Sequence, residues 1–185
     1  RGVDTMQGLF RLSGEKSQVE YLRHQYELSL DPDLTELPNE TLAGVVKLYL
    51  RQLEVPIISF GLYSEFLRIG KLSPGIERTE AANIALSRLP LSQHAFLHYL
   101  CSFLYKVSQF SATNLMTSKN LAIVIGPNLL RPQRETTQTA MADNKYVLSV
   151  VQLLIDQQSE LFGPTPQLTV PDTTETQQFI RQRAS

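Results

Sequence analysis

The sequence predicts a single all-α domain built from many helices, and three observations carry that prediction. Apolar residues recur at three- and four-residue intervals through almost every segment of 13–162. No stretch alternates apolar and polar side chains as a half-buried strand would. The 185 residues are 42% hydrophobic, enough to bury one sizeable core. No internal repeat divides the chain.

Each helix has its own justification. Ser13 reads as the N-cap of a helix carrying Val19, Leu22 and Tyr26, which ends before Asp31-Pro32-Asp33. Asn39 opens a second, ringed by Leu42, Val45, Val46, Tyr49, Leu50 and Leu53 and therefore expected at the centre of the fold. Pro56 and Ser59 separate it from a helix with Leu62, Tyr63, Phe66 and Leu67, stopped by Ser73-Pro74-Gly75. A helix over 76–89 follows. Pro90 and Ser92 introduce a long amphipathic helix through Phe96, Leu97, Leu100, Phe103, Leu104 and Val107. Thr113 is expected to cap the next, and Gly126-Pro127 to end it. The polar, threonine-rich 136–142 reads as an exposed loop, after which Asp143 starts a last helix with Val147, Val150, Val151, Leu154 and Ile155. Beyond Phe162 the composition turns to proline, threonine and glutamine. We expect a flexible tail over 163–185.

Composition excludes several functions. A net charge of −1 lacks the basic balance that nucleic-acid or membrane-surface binding normally needs. Cys101 is the one cysteine, which rules out an internal disulfide and suits a reducing compartment, so a cytoplasmic monomer is expected. The sequence shows neither an apolar run of about 18 residues nor a signal peptide, and any membrane recruitment would fall to parts of the protein outside this chain. The chain begins with Arg1 and runs at once into its first motif. We read it as a fragment.

That motif is Gly8-Leu9-Phe10-Arg11-Leu12-Ser13-Gly14, an arginine on a glycine-flanked turn just before a helix. On such a turn Arg11 could be presented as a planar, permanently charged donor fork to another protein's phosphate site. The plainer alternative is an ordinary surface ion pair, worth about 0–1 kcal/mol. On the second helix Glu40, Gly44, Lys47, Arg51 and Glu54 fall on one narrow stripe, at about 100° per residue. Either Lys47 and Arg51 pair with the two glutamates along a solvated edge, or they form a cationic patch beside the Arg11 turn. Asn114 and Asn120, taken alone, are surface or capping amides.

Three segments in register resemble the RhoGAP family of GTPase-activating domains: the Arg11 loop, Lys47-Leu48-Tyr49-Leu50-Arg51-Gln52-Leu53-Glu54-Val55-Pro56, and the run from Asn114-Leu115-Met116 through Asn120-Leu121-Ala122 to Gly126-Pro127-Asn128. The resemblance spans roughly residues 2–162. It implies an all-α fold and makes Arg11 the arginine finger, supplied in trans to a Rho, Rac or Cdc42-type small GTPase. GTP and Mg²⁺ would belong to that partner, and the domain would need no cofactor or metal of its own. Lys47, Arg51, Asn114, Asn120 and, less strongly, Asn144 would lie on the GTPase-facing surface, while Asn128 would shape a turn. Four departures stand out: Leu53-Glu54-Val55-Pro56 stands for the family's Leu-Pro-Glu-Pro and so loses the proline at Glu54, Leu115 replaces a lysine, Gln7 stands where glutamate is common, and the family's helix before the finger loop is missing from 1–162. The change at Leu115 implies altered affinity or choice of GTPase rather than altered chemistry.

Other chemistries fit less well. Gly8 to Gly14-Glu15-Lys16-Ser17 has five residues between its glycines and an intervening Glu15, so it fails as a phosphate-binding P-loop. His94, His98 and Cys101 share a helix face but lack a fourth ligand, which structural zinc normally requires. Two further functional classes stay open beside the catalytic activator: a non-catalytic GTPase-binding module, and a helical adaptor using the Lys47/Arg51 face.

Overall fold

A computed structural model describes residues 6–28, 30–134 and 137–164, with the side chains of 137–140 left undescribed. Among the described residues every regular element is helical, with no strand. The elements are α1 (Lys16–Glu27), α2 (Asn39–Gln52), a 3₁₀ turn (Phe60–Leu62), α3 (Tyr63–Lys71), α4 (Ile76–Leu86), α5 (Leu91–Gln109), the one-turn α6 (Ser111–Asn114), α7 (Ser118–Leu129), α8 (Thr137–Asp156) and α9 (Gln158–Phe162).

The core forms where the apolar stripes of α3, α5, α7 and α8 meet. Phe66, Ile69, Leu97, Leu104, Ile125 and Leu154 are fully enclosed there. α8 lies along both α3 and α7, and Gly70 is what lets α3 approach, since a Cβ there would run into the Tyr146 carbonyl. Arg78 on α4 is buried without a carboxylate partner among the described residues. Its Nε donates to the Ile69 carbonyl at 3.1 Å and its Nη2 to the Ser149 carbonyl and hydroxyl at 2.8 and 2.7 Å, tying α3 to α8.

Several sequence expectations change. α2 is not ringed by protein: Leu42, Val45, Val46 and Tyr49 line an open apolar groove of about 620 Å³ with Leu22 and Phe96, and Leu50 faces the core. Ser13 does not cap α1. Gly14 holds the chain against α2, so the helix begins two residues later, with Glu15 in extended backbone as its N-cap. Thr113 lies inside α6, and left-handed Leu115 interrupts the chain before α7, whose cap is Thr117 with its hydroxyl accepting from the Asn120 N–H at 3.1 Å. Pro127 sits within α7 rather than ending it. It deletes only the N–H that would reach Ile123, and Leu130 N–H closes the next turn onto the Gly126 carbonyl at 3.0 Å. α8 starts at Thr137, six residues before Asp143, because 137–142 contains polar residues but no glycine or proline to break a helix. From residue 165 onward the expected tail lies outside the described residues.

Candidate functional site: the Arg11 loop and its supports

Gly8 begins a tight turn at φ 70°, closed by Arg11 N–H and Leu12 N–H donating to its carbonyl at 2.8 and 2.9 Å. Phe10 also takes a left-handed conformation, at φ 67°. For a bulky residue this costs about 1–2 kcal/mol, and burial offsets it: Phe10 is 3% exposed and meets Phe103 of α5 edge to face, centroids 6.3 Å apart. Leu9 enters the core beside it. With residues 9 and 10 anchored inward, the next side chain emerges. Arg11 is exposed, and among the described residues no carboxylate pairs with it.

Three contacts fix this loop from outside. Lys47 Nζ donates to the Phe10 carbonyl at 2.5 Å. Gly8 N–H donates to the Asn114 carbonyl at 2.8 Å. Gly14 lies so close to the first turn of α2 that a Cβ there would stand 2.5 Å from Thr41 Cα and 2.8 Å from the Glu40 carbonyl. Its role is close approach, whereas Gly8 supplies the positive φ.

The stripe on α2 does not form the ion-paired edge of the first alternative; its two cations lie together beside the Arg11 turn, as in the second. No ion pair joins Lys47 or Arg51 to Glu40 or Glu54 among the described residues. Lys47 is half-buried under the Arg11 loop; burial, and then the neighbouring Arg51 charge, push its ammonium below the ordinary lysine value. Arg51, one turn further on, is exposed. The two cations line a hollow of about 270 Å³ between α1 and α2, with Ser13, Lys16 and Glu20 on its other walls.

Asn114 is fully buried, so its side chain is not on the surface where the family resemblance put it. Its Nδ2 donates to the Val107 carbonyl at 2.7 Å and its Oδ1 accepts from Met116 N–H at 2.8 Å. The residue is a pin between α5, the start of α7 and the Arg11 loop. Asn120 is half-exposed on the first turn of α7, and its Nδ2 donates to the Leu115 carbonyl at 3.0 Å. Asn144 is exposed on α8 and borders a small cleft with Pro127 and Arg131, toward the opposite end of α7 from Asn120. Arg11, Lys47, Asn114 and Asn120 are thus brought into one linked assembly, with Arg51 beside it and Asn144 apart from it.

Three supports went unread in the sequence. Phe10 looked like an ordinary member of the motif, although an aromatic before an exposed arginine can signal an inward anchor. Thr117, three residues before Asn120, carried the N-cap spacing. Arg131 closes the C-terminus of α2 by bonding the Leu50 and Leu53 carbonyls, and Ile58 N–H bonds the Leu129 carbonyl at 3.1 Å, so the loop after α2 is held without the proline that Glu54 displaces. His94 and His98 pack on Phe162, the latter stacked at 5.1 Å, and Cys101 is enclosed in the core with its thiol pushed far up by burial.

An all-helical domain that presents Arg11, exposed and without an ion pair among the described residues, on a turn tied to α2 and α6 is an arrangement whose class comparison identifies. The RhoGAP domain signature matches residues 1–134, and the chain belongs to that family. It is 41% identical over 167 residues to Rho GTPase-activating protein gacY of Dictyostelium discoideum, covering 88% of this chain and 23% of that protein. It is 34% identical over 171 residues to mouse beta-chimaerin, covering 88% of this chain and 50% of the relative. Among solved structures, human Rho GTPase activating protein 15 superposes with a TM-score of 0.82 at 26% identity, covering 88% of this chain and 78% of that one. The BH domain of GRAF, the GTPase regulator associated with focal adhesion kinase, gives 0.78 at 32% identity, covering 90% and 89%. The chain spans half or less of the length of these two curated relatives. None of its described helices is long and apolar enough to cross a membrane.

Proposed function

We propose that this domain binds a Rho-family small GTPase in its GTP state and accelerates hydrolysis by inserting Arg11 in trans into the nucleotide site. The observation that carries the reading is an exposed arginine, unpaired among the described residues, on a turn anchored by Phe10, Lys47 and Asn114. A finger of this kind acts electrostatically: the guanidinium offsets charge building on the transferring phosphoryl oxygens. Because the loop is held before the partner arrives, little reorganisation is needed as that charge develops. The expected acceleration is about 10³–10⁵-fold, or roughly 4–7 kcal/mol off the barrier.

The partner brings the nucleotide, Mg²⁺ and the residue that orients water. Arg51 and Asn120 meet its surface near the finger, and Lys47 acts chiefly by holding the loop. Asn144 would extend the same contact at the far end of α7. Single-turnover GTP hydrolysis with saturating domain, run over Rho, Rac and Cdc42-type GTPases, tests the reading. Stimulation of at least one supports it. Binding without stimulation across the panel would make the domain a non-catalytic GTPase-binding module, and no binding at all would favour an adaptor for another partner.

A further inference from the structure

Leu115 is in left-handed backbone at φ 61°, yet 47% of its surface is exposed. The left-handed turn serves the fold by closing α6, but a leucine is not the side chain that such a turn calls for. A leucine Cβ crowds its following carbonyl in that conformation, where glycine or asparagine fits more easily. Its exposed half also leaves apolar surface in water. The backbone cannot relax around it: Leu115 N–H donates to the Ser111 carbonyl at 3.0 Å, its carbonyl accepts from Asn120 Nδ2 at 3.0 Å, and its neighbours Asn114 and Met116 are both fully buried. Leu115 is therefore displayed on a rigid mount.

A second leucine stands nearby. The Asn114 carbonyl holds Gly8 N–H at 2.8 Å, and the side chain of Leu12 lies over Gly8, with its Cγ 3.0 Å from where a Cβ on Gly8 would stand. Leu12 is 46% exposed. The two leucines flank the junction that fixes the Arg11 loop, so an object reached by Arg11 lies within their neighbourhood.

We propose that Leu115, with Leu12, is a specificity-determining apolar contact that favours GTPases presenting an apolar side chain beside the nucleotide site. The inference rests on the reading of the domain as a GTPase activator. A partner offering a carboxylate at that spot would have to desolvate it against two leucines and is disfavoured. Since the contact is made before and during reaction alike, it changes affinity more than the rate at saturation.

The test uses Leu115→Asn and Leu12→Ala, each measured for Kd and saturating single-turnover rate with GTP-loaded GTPases of the three types, and for Tm. Asparagine tolerates the left-handed backbone, so the fold should be as stable as the parent or more so. For the preferred GTPase, Leu115→Asn should weaken binding about tenfold, with a smaller loss for Leu12→Ala and most of each loss in Kd. Weaker partners should lose less, which narrows the spread across the panel. Parent-like binding by both variants overturns this inference and leaves the activator reading intact. A clear fall in Tm for Leu115→Asn also overturns it, because the leucine would then serve the fold. A parent domain that neither binds nor stimulates any GTPase overturns the activator reading and this inference together.

Discussion

Replacing Lys47 with methionine removes one hydrogen bond and keeps most of the apolar stem, so it isolates what the ammonium does for the Arg11 loop. The bond from Lys47 Nζ to the Phe10 carbonyl, at 2.5 Å, is charge-assisted and half-buried. Bonds of that kind contribute about 1.5–3 kcal/mol. Left-handed Phe10 carries a strain of similar size, about 1–2 kcal/mol. Without the lysine, burial of the Phe10 ring alone opposes relaxation of the peptide that leads into Arg11. If the whole of the bond is spent on holding the loop, the finger-competent population falls by roughly 10- to 150-fold. We expect a loss of about tenfold in single-turnover rate at saturating domain, and a Tm lowered by about 3–12 °C for a chain of this size. A residue that merely touched the GTPase would instead recover full rate once the complex is saturated. Parent-like hydrolysis at saturation, with the whole defect in Kd, would refute the positioning argument.

Two other perturbations probe the supports. Gly14→Ala places a methyl against α2 backbone that cannot step aside. It should cost about 1–3 kcal/mol in chemical denaturation and reduce stimulation along with stability; an unchanged midpoint would show that the loop can move away freely. The His98 imidazole is buried against Phe162, and burial, then the nearby His94, push its pKa below the ordinary 6.5. The unfolded chain binds that proton more readily, so stability present above pH 6.5 is lost as pH falls toward the folded value. His98→Phe should flatten this acid limb of a Tm-against-pH series, and an equally steep limb would assign the effect elsewhere.

Helix content was readable because α3, α5, α7 and α8 each carry an apolar stripe at the helical period. Boundaries were less so. Pro127 sits inside α7 without breaking it, and the start of α8 is polar but contains no glycine or proline, so neither the proline nor the polar run marked a true boundary. The Arg11 motif and the α2 cations were visible as motif and stripe. Their connection was not, because the Lys47–Phe10 bond joins positions 37 residues apart and ends on a backbone carbonyl, which no side-chain pattern records. For the same reason Asn114 read as a surface amide: its burial depends on the left-handed turn at Leu115 that folds α6 back toward Gly8.

The measurement closest to the central claim is single-turnover GTP hydrolysis by a responsive Rho-family GTPase saturated with Arg11→Ala domain, alongside Kd for the GTP-loaded state. Arg11 is exposed and carries no ion pair among the described residues, so the fold should be unaffected. The account predicts near-parent binding and a rate reduced by about 10³-fold or more, poorly rescued by Arg11→Lys, which keeps a charge without the planar fork. Stimulation by Arg11→Ala equal to that of the parent would contradict it.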